Sequence, residues 1–152
     1  MYEIELVEDI SAAPARVWDV LTSFREYDEW NPTITRMRAT LSVGAPVSFV
    51  IAVGGREMKI AAEMLRVEPG SEIRWRGPTS FMLSRFFRGE HYVRVENAGE
   101  GRSRLVHGER FGGASLPLLW PKLKKDLEQA YAKMNRALKT RAESARQGPR
   151  AA

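Results

Sequence analysis

Residues Ser115 to Ser144 read SLPLLWPKLKKDLEQAYAKMNRALKTRAES, and apolar side chains recur in this stretch at steps of three and four residues. They are Leu116, Trp120, Leu123, Leu127, Ala130, Met134 and Leu138. Lysine and arginine lie away from this stripe, so the spacing predicts a long amphipathic helix with one apolar face. A chain of 152 residues must cover that face with another large apolar surface, because so long an apolar stripe is unfavourable in water.

The residues before this helix predict a sheet that supplies such a surface. Apolar and polar residues alternate with a period of two in seven segments, which are 2–10, 34–43, 46–54, 57–68, 71–77, 88–97 and 102–111. After residue 33 the segments are separated by short runs rich in glycine and proline, which are turn residues. Connections this short join antiparallel neighbours, since parallel strands need a crossover of about a dozen residues. We therefore expect an α+β fold whose antiparallel sheet curls around the C-terminal helix.

Three further segments interrupt the strand pattern. Helical spacing of apolar residues between Pro14 and Phe24 predicts a short helix. A second short helix or tight turn covers Tyr27 to Trp30 and must stop before Pro32, because proline disfavours a helical residue in front of it. The segment 79–87 is too apolar for an exposed loop. It is either an extension of a strand or a flap over something apolar.

Length and composition define the class of protein. The chain fits one domain over residues 1–144, followed by a flexible tail at 145–152. With no cysteine, a disulfide framework and a thiolate metal site are both excluded. No signal peptide is visible at the N-terminus, and no apolar run reaches the ~20 residues that span a bilayer. We expect a soluble, cytoplasmic protein without a transmembrane segment.

The net charge of +5 raises the question of nucleic-acid binding. The basic residues are spread along the chain, and many alternate with apolar residues on strands, as Arg74 and Arg76 do. A nucleic-acid site would concentrate them on one face and carry a recognisable motif. We therefore expect a solvated basic surface and no nucleic-acid partner.

The last predicted hairpin places polar groups on the inward face of the sheet. A turn centred on Gly99 to Gly101 makes the numbers of cross-strand partners sum to about 200. The predicted pairs are Val95 with Leu105, Val93 with His107 and His91 with Glu109. Both histidines of the protein and one carboxylate then share the apolar face. Burying them is unfavourable unless they pair with one another, with water or with a ligand.

Three roles for His91, His107 and Glu109 follow from this arrangement. They satisfy each other as a buried His–Glu pair, or they anchor the polar end of a ligand. As a third possibility, His107 and Glu109 form a general acid–base pair, with His91 as a further catalytic candidate. Two histidines and a glutamate are also able to bind zinc. Alternating strand positions without a spaced ligand motif are unspecific, however, so no metal and no cofactor is expected.

The remaining inward positions predict an apolar cavity. A helix laid across a curled sheet leaves space that side chains do not fill completely, and ligand sites are mainly apolar with a few polar groups. The predicted ligand contacts on the sheet are Phe49, Ile51, Met58, Ile60, Trp75, Val93 and Phe111, together with His91, His107 and Glu109. Those on the helix are Leu119, Leu123 and Leu127. Trp30 and the segment 79–87 are predicted to control entry.

Several local motifs, taken in order, resemble one known superfamily. They are APARVWDVL at 13–21, YDEWNP at 27–32, VEPG at 67–70 before IRW at 73–75, GEH at 89–91 and HGERFG at 107–112. Their order and spacing resemble the SRPBCC (START-like) superfamily, and in particular its polyketide cyclase/dehydrase-like branch. The resemblance covers residues 2 to 143.

The resemblance implies a helix-grip fold, in which a strongly curved antiparallel sheet of six or seven strands holds the C-terminal helix. Two short helices follow the first strand, and a hydrophobic tunnel lies between sheet and helix. Members bind lipids, sterols, polyketides or plant metabolites, and some are cyclases or dehydratases. The superfamily shares no catalytic set. Trp30 and Pro32 match its motif at the cavity mouth, and His107, Glu109 and Phe111 match positions on the inward strand.

Three hypotheses for function remain open. The leading one is binding, transport or sequestration of a small hydrophobic molecule such as a lipid, sterol or polyketide. The second is a cyclase or dehydratase that uses His107 and Glu109 as an acid–base pair. The third is an interaction module of the chaperone-ATPase-activator type, whose basic helix face docks an acidic protein.

Overall fold

The computed structural model describes residues 2–144, and the predicted tail at 145–152 lies outside the described residues. The strands are β1 (Tyr2–Ile10), β2 (Ile34–Arg38), β3 (Pro46–Val53), β4 (Arg56–Glu68), β5 (Glu72–Gly77), β6 (Arg88–Asn97) and β7 (Ser103–Gly112). The helices are α1 (Pro14–Thr22), α2 (Tyr27–Trp30), α3 (Phe81–Phe86) and α4 (Leu116–Ser144), with a 3-10 turn at Phe24–Glu26. In this part of the chain no helix is long and apolar enough to cross a membrane.

The strands form one curved antiparallel sheet of seven strands in the order β1-β7-β6-β5-β4-β3-β2. From β2 to β7 each strand pairs with the next one along the chain. Strand β1 pairs with β7, from Tyr2 opposite Phe111 to Ile10 opposite Ser103. The predicted α+β, helix-grip architecture is therefore confirmed.

Helix α4 packs its apolar face against the sheet, as the spacing in the sequence predicts. Leu127, Met134 and Leu138 on this helix are buried, and they share one hydrophobic core with Ile73 and Leu105 of the sheet. This core also includes side chains from α1 and α2. Burial of this apolar surface is the main favourable contribution to folding.

The short helices are joined to the middle and the far end of α4. The Thr33 hydroxyl, just after α2, donates to the Ala130 carbonyl at 2.7 Å. Arg141, near the end of α4, forms ion pairs with Glu29 at 2.8 Å and Glu26 at 3.1 Å. These contacts place α2 against the C-terminal part of the helix, away from Leu116 where the helix begins.

Strand β2 is shorter than the predicted segment 34–43, because it ends at Arg38. Its register against β3 shifts between Thr35 and Arg38. In that gap Arg36 has a φ of 50°, a conformation that few residues other than glycine adopt. The Arg36 N–H donates to a carboxylate oxygen of Asp28 at 2.6 Å. A side-chain acceptor thus replaces the regular strand pairing, which alternation alone does not reveal.

The apolar segment 79–87 contains a separate short helix, α3, and it is not an extension of a strand. The Ser80 side chain caps this helix by accepting a hydrogen bond from the Leu83 N–H at 3.5 Å. None of the side chains within α3 is buried. The end of α3 is fastened to the start of α4, where the Ser115 hydroxyl donates to the Phe86 carbonyl at 2.6 Å.

The contact between α4 and the sheet predicts a large difference between two leucines of the same helix. Leu138 is fully buried, whereas Leu118 is 87% exposed. We expect Leu138→Ala to lower the free energy of unfolding by about 2–5 kcal/mol, through lost burial and the cavity left behind. Leu118→Ala is the matched control and should change it by less than about 0.5 kcal/mol. Urea unfolding curves measure both, and equal effects would contradict the packing described.

Candidate functional site

A cavity of about 90 Å³ lies between the sheet and the first half of α4. Its wall comes from β3 to β7, from α4 and from the connection between β5 and β6. The lining residues are Phe49, Ile51, Val53, Met58, Ile60, Trp75, Gly77, Pro78, Phe87, Gly89, His91, Glu109, Phe111, Leu123, Leu127 and Tyr131. The wall is mainly apolar, and its polar side chains are His91, Glu109 and Tyr131.

Most of the predicted contact residues lie on this wall. They are Phe49, Ile51, Met58, Ile60, Trp75, His91, Glu109, Phe111, Leu123 and Leu127. Trp30, Val93, His107 and Leu119 do not line it. Val93 and His107 are fully buried, and Leu119 is an exposed residue.

Trp30 does not lie at the mouth of the cavity. Its ring packs edge-on against Tyr27 at 5.1 Å, in the helix that contacts the C-terminal part of α4. The indole Nε1 is buried without a hydrogen-bond partner among residues 2–144. Trp30 is thus absent from the residues that line the cavity, and its control of ligand entry stays a prediction.

The register of the last hairpin is the predicted one. His91 lies opposite Glu109, Val93 opposite His107, and Val95 opposite Leu105. The turn at residues 99–101 decides this register, since each cross-strand pair is counted from it. Three polar side chains are thus brought together beneath α4.

Hydrogen bonds connect the two histidines to α4. His91 Nε2 lies 2.6 Å from His107 Nε2, and His107 Nδ1 lies 2.6 Å from Asn135 Oδ1. Because an amide oxygen only accepts, His107 Nδ1–H donates to Asn135. His107 Nε2 then accepts a hydrogen bond from the Nε2–H of His91. This chain requires a neutral imidazole at His107 and a proton on Nε2 of His91.

Burial favours the neutral form of both histidines. It lowers the pKa of His107 to about 4, although the hydrogen bond to Asn135 acts in the opposite direction. The pKa of His91 is lowered well below its ordinary value, first by burial and then by the proximity of His107. Both are therefore uncharged at neutral pH, which for His107 agrees with the hydrogen bonds that it forms.

Glu109 bonds to α4 and not to a histidine. The Tyr131 hydroxyl donates to Glu109 Oε2 in a short hydrogen bond. Burial raises the pKa of Glu109 to about 7, and the hydrogen bond from Tyr131 opposes this rise. The buried His–Glu pair considered above is therefore not formed among the described residues. The carboxyl group of Glu109 titrates near neutral pH on the wall of an apolar cavity.

Ring packing and a glycine fix the position of this polar cluster. The Tyr131 ring stacks on His107 at 4.3 Å and on His91 at 5.3 Å, and the edge of Trp75 meets His91 at 4.3 Å. A Cβ atom at Gly89 would collide with Glu109 Oε1. The absence of a side chain at Gly89 thus makes room for the carboxyl group.

Tyr131 and Asn135 are site residues that the sequence analysis missed. Tyr131 lies four residues after Leu127, and Asn135 lies four residues after Tyr131, so both continue one row of the apolar face. A polar residue in a buried row needs a partner. This signal, combined with two histidines on the facing hairpin, points to both residues.

Metal ligation requires a cluster of suitable side chains. Within residues 2–144 no group of three or more His, Cys, Asp or Glu side chains is arranged to hold a metal ion.

Comparison with known proteins shows the family. Residues 1–143 match the family described as "Polyketide cyclase / dehydrase and lipid transport", and the chain therefore belongs to that family. The START-like resemblance seen in the sequence is thereby confirmed. No curated protein matches the sequence at a significant level.

Solved structures share the fold at low sequence identity. A START superfamily protein from Mycobacterium smegmatis has a TM-score of 0.77 at 15% identity, covering 95% of this chain and 99% of that one. The protein TTHA0849 from Thermus thermophilus has a TM-score of 0.76 at 16% identity, with the same two coverages of 95% and 99%. The ZhuI aromatase/cyclase from Streptomyces sp. R1128 has a TM-score of 0.73 at 17% identity and covers 93% of each chain.

The raised pKa of Glu109 predicts a pH-dependent contribution to stability. A carboxyl group whose folded pKa is about 7, above its ordinary 4.5, stabilises the fold fully below 4.5 and loses this contribution as pH rises through 7. The original protein should lose this stability between about pH 5 and about pH 8, whereas the uncharged side chain of Glu109→Gln should not. The free energy of unfolding of the variant, measured relative to the original protein, should therefore rise by about 1–3 kcal/mol over this range. Urea unfolding at both pH values measures this. A difference that does not change with pH would contradict the assignment.

Proposed function

We propose that the protein binds a small, largely apolar molecule in the cavity between the sheet and α4, with one oxygen-bearing group held at Glu109. The observation that carries this proposal is an apolar wall whose polar groups, Glu109, His91 and Tyr131, come together within one cluster. Sites of this composition suit ligands that are mainly hydrophobic and carry one or two polar groups. The family description, which includes lipid transport, supports the same class of ligand.

The size of the cavity requires that its wall moves when a ligand enters. The volume of about 90 Å³ is well below the roughly 300–1,000 Å³ of common ligand pockets. Between β5 and β6 the wall is formed by Pro78 and Phe87, which lie on either side of α3. Since α3 buries none of its side chains, its displacement exposes little additional apolar surface to water and requires little free energy. We infer that a ligand widens the cavity on this side.

Glu109 suits a ligand hydroxyl or carbonyl group. Near its pKa of about 7 the carboxyl group exists in both forms, so it is able to accept a hydrogen bond or to donate one. Tyr131 occupies one carboxyl oxygen, and His91 donates to His107. The second oxygen of Glu109 is therefore the group best placed to bind a polar atom of the ligand.

A matched pair of probes tests this anchor. We expect 1-naphthol to bind more tightly than naphthalene, and Glu109→Leu to remove about 1–3 kcal/mol of this preference by deleting the partner of the hydroxyl. The affinity for naphthalene should change little. Isothermal titration calorimetry measures all four combinations.

Filling the cavity provides the control for this experiment. Leu127→Phe adds volume to the wall and should weaken both probes, whereas Leu118→Phe adds the same volume at an exposed position of α4. The proposal fails if neither probe binds, or if Leu127→Phe binds both as well as the original protein does.

A second candidate function is acid–base catalysis, and the pKa of Glu109 near 7 favours it. His107 is not on the cavity wall, so Glu109 would carry the chemistry alone and Tyr131 would orient it. The ionised carboxylate removes a proton from a carbon next to a ligand carbonyl. The protonated carboxyl then returns that proton to a departing hydroxyl group, and water leaves as a carbon–carbon double bond forms. This dehydration balances without an oxidant or a reductant.

Separate effects on binding and turnover distinguish the two functions. If the protein dehydrates a β-hydroxyketone, Glu109→Gln should reduce kcat by at least about a hundredfold while KM changes only slightly. The original enzyme should lose activity below pH 7, where the base is protonated. Turnover that survives Glu109→Gln with a changed KM alone would show that Glu109 is an anchor.

A further inference from the structure

The strongest feature outside the cavity is an apolar surface formed by α3 and the start of α4, called here the α3 patch. Its members are Phe81, Met82, Leu83, Phe86 and Leu118, which are 76%, 73%, 59%, 61% and 87% exposed, respectively. Isolated exposed apolar residues are common, but a contiguous group of large ones marks an interaction surface.

Backbone and side-chain hydrogen bonds make the α3 patch one surface. The Ala114 N–H donates to the Arg85 carbonyl at 3.1 Å, and the Ser115 N–H donates to the Phe86 carbonyl at 3.1 Å. The first turns of α4 therefore begin directly beside the end of α3. Leu118 is exposed in the first turn of α4, three residues after Ser115.

Most of the charges around the patch are positive. Residues 77–89 and 110–125 contain arginine and lysine but no aspartate or glutamate. Arg85, Arg88 and Lys125 are exposed and form no ion pair within the described part of the chain. Lys122 and Lys124, by contrast, pair with Asp126 and Glu128 one turn further along. Glu63 and Glu90 lie in one groove with Phe81, but Arg76, Arg88 and Arg110 lie there too. The cations around the patch therefore outnumber the carboxylates.

We propose that the α3 patch docks on the surface of an anionic lipid bilayer. Large apolar side chains flanked by basic residues match a membrane interface, where the apolar groups enter the boundary of the acyl chains and the cations meet lipid phosphates. The excess of cations, with Arg85 and Lys125 outside every ion pair of the described residues, supplies the charge complementarity. Such docking does not depend on whether the cavity holds a ligand.

The position of the patch connects the bilayer with the cavity. Phe87 follows α3 directly and lines the cavity, and Pro78 does so just before α3. Docking therefore places against the membrane the side of the cavity that we infer to widen when a ligand enters. An apolar ligand passes between bilayer and cavity there without crossing water.

Vesicle co-sedimentation tests this proposal with the intact protein. The probes are phosphatidylcholine vesicles with and without phosphatidylserine. We expect binding to the anionic vesicles, weakened by salt because part of the attraction is screened. Phe81→Ser combined with Met82→Ser should reduce the partition coefficient about tenfold or more, since both side chains lose their burial in the bilayer. Val7→Ser combined with Val43→Ser, which changes two exposed apolar residues outside the patch, is the control.

A second pair of variants separates local charge from net charge. Arg85→Gln with Lys125→Gln removes two patch cations and should weaken binding about tenfold. Lys133→Gln with Arg136→Gln removes two exposed cations further along α4 and should change binding much less. Circular dichroism checks that each variant is folded, which is expected because every changed side chain is exposed.

The outcomes decide the proposal independently of the cavity ligand. Anionic vesicle binding that is lost only in the two patch variants supports it. Absence of vesicle binding overturns it, even if an acidic protein is found to bind the same cations. Equal losses in patch and control variants also overturn it, since they show unspecific attraction to the net charge of +5.

Discussion

Burial of the apolar face of α4 against the concave face of the sheet is the constraint on which the rest of this structure depends. The helix has 29 residues and its apolar side chains meet strands that are far away along the chain. Once the helix is in place, every inward position of the sheet lies in an apolar environment. A polar side chain at such a position must find a partner there, which is why the two inward histidines, Tyr131 and Asn135 form hydrogen bonds.

The polar cluster consists of two parts with different properties. In the chain from His91 through His107 to Asn135, both ring nitrogens of the neutral His107 are used in hydrogen bonds; we call this the closed part. Glu109 and Tyr131 form the open part, since the carboxyl group lines the cavity and titrates near neutral pH. The closed part acts as a scaffold that holds the Tyr131 ring. The open part is the part that we propose to bind a ligand.

Helix α3 lies on the surface of the protein, between two residues that line the cavity. It carries large apolar side chains but buries none of them, so its residues contribute little to the stability of the core. Pro78 and Phe87 of the cavity wall lie on either side of it in the chain. The proposed widening of the cavity and the proposed docking on a bilayer therefore involve the same segment.

The sequence by itself determined the helix, the strands and their faces, because periodicity is a local property. It also determined the register of His91 against Glu109, because the position of the turn at residues 99–101 fixes which residues face each other across the hairpin. It did not predict that β2 ends at Arg38, that Asp28 bonds to Arg36 at the register shift within β2, or that α3 is helical. Only the tertiary structure decided that His91 bonds to His107 while Glu109 bonds to Tyr131. The physical reason is that these hydrogen-bond partners depend on how α4 is rotated about its axis and how closely it packs against the sheet. The same packing leaves the cavity of about 90 Å³.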